Sequence, residues 1–195
     1  MPFVETAAGQ PNFIFLNSSL LKMSLQKQAI IAMSIETATR SGSLALLHDQ
    51  NVCAQWEGGE TTSHSSELLV EIEKLLSQTE FNLGDLDLLA GAIGPGSFTG
   101  LRVGLATLKG LATALQKPVC GVPTLEAMAF GHPGENTKIT VLSAGRNEVY
   151  AQIWKLNKKN ELVAETALKT IDLTSLLSKL DSNQVLDWII TKENY

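Results

Sequence analysis

Between Ala29 and Glu57 the chain passes through three strand-length runs joined by turns too short for anything but a meander. Beyond them the hydrophobic period changes from two to three or four. In Ala29–Ile35, Ile31, Met33 and Ile35 share one face and the small Ala32 and Ser34 the other, the alternation of a strand. The turn Glu36-Thr37-Ala38-Thr39 leads into a second strand, Gly42–Leu47, and Asp49-Gln50-Asn51 reverses the chain into a third. There Val52, Ala54 and Trp56 alternate with Cys53, Gln55 and Glu57. Three successive strands with tight turns predict an antiparallel meander.

The next segment predicts a helix over Ser65–Thr79, with Ser65 and Ser66 as candidate N-caps. Leu68, Leu69, Ile72, Leu75 and Leu76 form its apolar stripe, with Glu67, Glu71 and Lys74 opposite. A buried strand, Leu88–Ile93, then a glycine-rich turn, a helix over Leu101–Ala114 and a strand at Val119–Val122 follow. Thr124 caps a brief helix ended by Gly131 and Pro133. This order predicts an α/β fold with a mixed sheet: the meander is extended by right-handed crossovers that add parallel strands. Ribonuclease-H-like and actin-like half-domains use that order.

His132–Thr137 reads as a linker between two lobes, 29–131 and 138–195. In the second lobe, strands are predicted at Lys138–Leu142, Glu148–Lys155 and Val163–Thr170. A helix capped by Asp172 runs to Leu180, with Ile171 and Leu176 placed as a hydrophobic staple, and Val185–Ile190 is a last strand. The second lobe begins to repeat the order of the first and is expected to be incomplete. No internal sequence repeat accompanies this. Residues 1–28 show no clear period and read as an N-terminal extension or a start placed too early. Phe13–Leu16 is too short for a signal peptide's apolar core or a membrane span.

Charge narrows the function. The net charge is −5, and no basic run exceeds Lys158–Lys159, whereas a chain that grips nucleic acid alone needs a basic stripe to neutralise phosphates. Contact with RNA is therefore expected only through a more basic partner. Cys53 and Cys120 lack a CxxC neighbour and are expected to be reduced core or sub-surface thiols of a cytoplasmic protein.

Gly94-Pro95-Gly96-Ser97-Phe98-Thr99-Gly100-Leu101-Arg102 is the most informative stretch. Glycines between a strand and a helix either bring backbone N–H groups to an anion or make a tight turn. The spacing matches neither GxGxxG nor GxxxxGK[ST], so on mechanism alone the tight turn is preferred. Gly96 and Ser97, with Thr37 and Thr39 of the first hairpin, are the candidate phosphate-facing residues. The helix that follows carries Gly104 and Gly110, with Ala106, Thr107, Ala112, Thr113 and Ala114. Such a small-residue surface suits close helix packing, within the lobe or against a partner. Catalytic groups are scarce. His48, His64 and His132 form no HxxxH or HExxH pair, and no GxSxG elbow is present. Glu36 ends the first strand where ATP-hydrolysing chains of this architecture carry Asp. No glycine follows Gly145 to build an adenosine loop.

Ile35-Glu36-Thr37-Ala38-Thr39, His64 followed by Glu67-Leu68-Leu69, GPGSFTGLRVG at Gly94–Gly104 and Glu148-Val149-Tyr150 together resemble the TsaB (YeaZ) family. This family serves the bacterial machinery that makes threonylcarbamoyladenosine in tRNA. The resemblance runs from Ala29 to Tyr150. It implies an actin-like (ribonuclease-H-like) fold without catalytic power or cofactor, pairing with a TsaD-like catalytic subunit. It also implies action with a TsaE-like ATPase, homodimers in isolation, and tRNA reached only through the complex. The subunit contact is expected on the first lobe's helix pair, with His64, Glu67, Leu68, Glu71, Arg102, Gly104, Leu105 and Gly110 as partner-binding candidates. The catalytic relative carries two metal-binding histidines four residues apart; Thr124 and Met128 stand in their places here, so no metal is expected. Ser143-Ala144-Gly145-Arg146 departs from the family's Asp-Ala-Arg pattern. The competing reading is an enzyme: an actin-like ATPase or kinase, or a glycopeptidase-like hydrolase.

Overall fold

The computed structural model describes residues 29–59, 64–179 and 186–190, and the side chains of these apart from 64–66 and 179. The N-terminal extension and the capping side chains of Ser65 and Ser66 lie outside the described residues. Contacts divide the chain into two units, residues 1–124 and 125–195.

In the first unit, β1 (Ile31–Glu36), β2 (Ser43–His48) and β3 (Asn51–Glu57) form the expected meander. The helix α1 (His64–Ser77) and a 3₁₀ turn at Leu83–Asp85 lead to β4 (Leu88–Ala92), which runs parallel to β1. Helix α2 (Phe98–Leu115) then crosses over to β5 (Val119–Val122), parallel to β4. The sheet order is β3-β2-β1-β4-β5, the ribonuclease-H-like arrangement of a meander extended by two crossovers.

The two-residue period of the strands decides which side the helices take. Met33 and Ile35 of β1, Leu44 and Leu46 of β2, and Leu89 of β4 point to one face. Leu68, Ile72, Leu75 and Leu76 of α1 and Leu108 and Ala112 of α2 meet them there in a single core. The opposite face of β1 carries Ala32, Ser34 and Glu36, all buried, as expected for a central strand covered on both sides. The four leucine and isoleucine positions of α1 fall within one stripe, but Leu69 does not share it. Lying about 100° on from Leu68 around the helix, it stays 61% exposed, against the expectation from sequence.

In the second unit, α3 (Thr124–Gly131) precedes β6 (Thr137–Gly145) and β7 (Glu148–Leu156). Two short strands follow, β8 (Leu162–Ala164) and β9 (Lys169–Asp172), then α4 (Leu173–Lys179) and β10 (Leu186–Ile190). The single strand expected over Val163–Thr170 is therefore two. Between them Thr166 turns inward, its Oγ1 accepting from Ile153 N at 3.0 Å, and Glu165 N donates to Ile153 O at 2.8 Å. Both pieces pair antiparallel with β7, and β10 lies parallel to β6. The Asp172 cap is present, with Oδ1 accepting from Ser175 N at 2.8 Å. Ile171 and Leu176 join one apolar cluster with Ile139 and Val141. Helix α3, expected in the first lobe, packs with the second unit instead: Leu125 and Ala129 meet Leu142 and Trp154. Trp154 is held there by its Nε1 donating to Thr140 Oγ1 at 2.9 Å. The Lys138 amine donates to Ala129 O at 3.3 Å and His132 O at 2.5 Å, satisfying carbonyls at the end of α3. Burial lowers its pKa, while the nearby Asp187 carboxylate opposes that shift.

Of the two cysteines, expected as core or sub-surface thiols, only Cys120 is buried. Cys53 is exposed on the outermost strand β3.

Leu108 is the side chain through which α2 seats on the sheet, fully buried and directly over Gly91, where a Cβ would come within 2.9 Å of its Cδ2. Leu108→Ala should lower unfolding stability by about 2–5 kcal/mol, read from urea denaturation. A loss under about 1 kcal/mol would mean the helix is held elsewhere.

Candidate functional site

The end of β1 and the start of α2 meet through backbone rather than through large side chains. Glu36 closes the strand, and its carboxylate folds back over the turn it begins. Oε1 accepts from the N–H groups of Ala38 and Thr39, the latter at 2.8 Å, and Oε2 accepts from the Thr39 hydroxyl at 2.6 Å. Glu36, Thr37 and Thr39 are all buried.

Against this turn lie Gly96, Gly100 and Gly104, spaced four residues apart. A Cβ at Gly96 would stand 2.4 Å from Ala38 O; at Gly100, 2.0 Å from Thr37 O; at Gly104, 2.1 Å from Thr37 Oγ1. Gly96 also has a φ of 155°, open in practice only to glycine. The contact is fastened by Ser97 N donating to Ala38 O at 2.7 Å. Ser97 caps α2, its Oγ accepting from Gly100 N at 3.2 Å. The helix therefore starts at Phe98, three residues before the predicted Leu101.

This arrangement gives Gly104 a role the sequence reading missed. It does not share an outer surface with Gly110: Gly104 is buried beneath Thr37, while nothing lies within 4 Å of a Cβ at Gly110. The four-residue spacing of Gly100 and Gly104 was the available signal, since residues four apart stack on one helix face.

The other partner-binding candidates divide in the same way. Leu68 is buried in the core, and Leu105 is half-buried against it. Glu71 is half-buried and paired with Lys74 at 2.7 Å, the contact that raises the Lys74 amine. Glu67, Arg102 and Gly110 are exposed, and the side chain of His64 lies outside the described residues. The outer faces of the helices also hold three large apolar side chains: Leu69 at 61% exposure and Val70 at 46% on α1, and Phe98 at 74% on α2. The Arg102 guanidinium sits 5.4 Å from the centre of the Phe98 ring, a cation–π contact at the rim of a nonpolar surface.

Around Thr124 the chain bonds back to the glycine loop, Thr124 N donating to Gly94 O at 2.9 Å. Burial raises the carboxyl pKa of Glu126 in the same helix. Among the described residues, no three His, Cys, Asp or Glu side chains group as metal ligands. Ser143–Arg146 falls at the β6–β7 hairpin, where Gly145, Arg146 and Asn147 all have positive φ.

Residues 59–186 match the protein family described as TsaD: tRNA N6-adenosine threonylcarbamoyltransferase. The tRNA threonylcarbamoyladenosine biosynthesis protein TsaB of Escherichia coli K12 is 38% identical over 112 residues, covering 57% of this chain and 48% of the relative. TsaB of Haemophilus influenzae is 35% identical over 127 residues, covering 63% and 53%. The solved YeaZ structure from Pseudomonas aeruginosa superposes with a TM-score of 0.67 at 27% identity, over 79% of this chain and 72% of that one. The chain belongs to this family, in its TsaB (YeaZ) branch. It spans about half the length of the curated TsaB relatives it matches, 48% and 53% of the two above. A second Pseudomonas aeruginosa structure, described as similar to peptidase YeaZ, gives a TM-score of 0.70 at 27% identity, over 82% of this chain and 74% of that one. The observed order β3-β2-β1-β4-β5 agrees with the mixed α/β sheet expected from the sequence.

The two helix glycines make opposite predictions. Gly104→Ala forces a methyl into the β-branched, buried Thr37 and should cost about 1–3 kcal/mol. Gly110→Ala meets open space and should raise stability by up to about 1 kcal/mol through helix propensity. Thermal and urea unfolding of the two variants check the pair; equal effects would refute the seating of the turn on Gly104.

Proposed function

We propose that this chain is a non-catalytic partner subunit in the formation of threonylcarbamoyladenosine on tRNA, supporting a TsaD-like threonylcarbamoyl-transferring subunit. A TsaE-like ATPase acts with the pair, the chain self-associates when alone, and tRNA is reached only through the complex, in the cytoplasm. The observation that carries the reading is the outer surface of α1 and α2. Both helices already spend their inner stripes on one core, yet keep Leu69, Val70 and Phe98 in solvent beside Glu67 and Arg102. Exposed apolar side chains with charged neighbours are the composition of a subunit contact, in which a few buried aromatic and aliphatic anchors dominate affinity. The names of the TsaB relatives supply the pathway. The net charge of −5 agrees with leaving RNA to a more basic partner. No described helix is long and apolar enough to cross a membrane.

Val70→Asp and Phe98→Ala, each with a native circular dichroism spectrum, should weaken binding of the purified catalytic partner by about 10–100-fold. Unchanged affinity in both would place the contact elsewhere. Chemistry is tested separately. In a reconstituted modification assay, omitting this chain should abolish product, whereas His64→Ala should leave most of it. Removing a general acid or base costs about 10²–10⁴-fold in rate. A hundredfold loss for His64→Ala with the complex intact, or ATP turnover by the chain alone, would make the subunit an enzyme.

A further inference from the structure

We propose that the first hairpin turn is an anion-binding cradle filled from within by the Glu36 carboxylate, which locks the turn onto α2 in place of a bound oxyanion. The donors converge in the way an anion requires. Two successive backbone N–H groups, of Ala38 and Thr39, point at one carboxylate oxygen, and the Thr39 hydroxyl points at the other. Consecutive main-chain amides aimed at one point form a concavity that holds negative charge. Hydrogen bonds to an ionised acceptor are about twice as strong as neutral ones. The carboxylate supplying the charge belongs to the strand residue immediately before the turn, and it is 7% exposed.

Side-chain length makes this possible. A glutamate at the last position of β1 reaches forward over two and three residues to the amides of its own turn. The cradle is also coupled to the rest of the lobe. The residues whose amides it orders are flanked by Thr37 O and Ala38 O, the two carbonyls that lie over Gly100 and Gly96. Ala38 O further accepts the N–H of the α2 cap, Ser97. The filled cradle therefore holds the turn in the shape that seats α2, with no small molecule needed. Glu36 is a positioning residue. The proposal concerns the isolated chain and stands or falls independently of the docking reading above.

The test is chemical rescue of Glu36→Ala, which empties the cradle and leaves a space of carboxylate size. The variant should lose about 5 °C or more in Tm. Sodium acetate or phosphate should then restore at least about half of the loss along a saturating curve across roughly 1–200 mM, the range for a small anion held by a few charge-assisted bonds. Sodium chloride at matched ionic strength should not. Recovery by acetate alone marks the cradle as selective for carboxylates; recovery by phosphate as well marks it as a general oxyanion site. Glu36→Gln keeps the space filled with a neutral amide, so it should be destabilised yet gain nothing from either salt. Where Glu36→Ala does not fold in chloride, refolding is carried out in each salt, and native circular dichroism returning only in acetate or phosphate is the same result. An unchanged Tm for Glu36→Ala overturns the proposal. So does recovery no greater than in chloride, or equal anion rescue of Glu36→Gln.

Discussion

Two carbonyl oxygens, of Thr37 and Ala38, occupy the space where side chains at Gly100 and Gly96 would begin. Backbone can approach backbone this closely only where Cβ atoms are missing, and the contact between the end of β1 and the start of α2 depends on it. Were either glycine to carry a side chain, α2 would have to lift from the turn. Leu108 could then no longer reach the sheet over Gly91, and the cap hydrogen bond from Ser97 to Ala38 would lengthen. The signature GPGSFTGLRVG is, in physical terms, the sequence of a helix that must begin flush against a hairpin turn.

The same contact fills the space over the glycine loop. In a glycine-rich loop that serves a ligand, amides face outward to an empty space. Here the space over the loop is taken by Thr37 and Ala38, and the amides of the turn itself face the Glu36 carboxylate. The first unit is thus organised around its own polar groups. Its exposed large apolar side chains are Leu69, Val70 and Phe98 on the outer faces of the helices, with Ile93 and Val119 elsewhere among the described residues.

The second unit shows how little sequence identity a repeated topology requires. A meander of β6, β7 and the β8/β9 pieces, then α4, then β10 parallel to β6, follows the same route as β1 to β4. No residue pattern repeats between them. The route is set by period, turn length and crossover handedness, and each of these tolerates many sequences. The hydrophobic clusters differ accordingly: leucines and isoleucines over the first sheet, and a hydrogen-bonded tryptophan, Trp154, at the centre of one cluster in the second.

The sequence by itself determined the element order, the mixed sheet and the family. Period-two alternation over Ile31–Glu57, the 3.6-residue stripe of α1 and the Gly94–Gly104 signature are local patterns, legible without knowing what they touch. Its element boundaries missed mainly where a long-range partner decides them. Strand β8/β9 breaks at Thr166 because Thr166 bonds across to Ile153. Helix α2 starts at Phe98 because Ser97 is fixed by Ala38, 59 positions away on the chain. Tertiary structure alone decided which glycine was buried and which exposed. Gly104 and Gly110 are equivalent as letters in a helix, but only one lies under Thr37. It likewise decided that Leu69 stays in solvent, that Cys53 lies on an outer strand, and that the Glu36 carboxylate turns back onto its own amides. Helical period sets the direction in which a side chain points. What stands in that direction is set by the neighbouring element, and the neighbour is known only once the chain has folded.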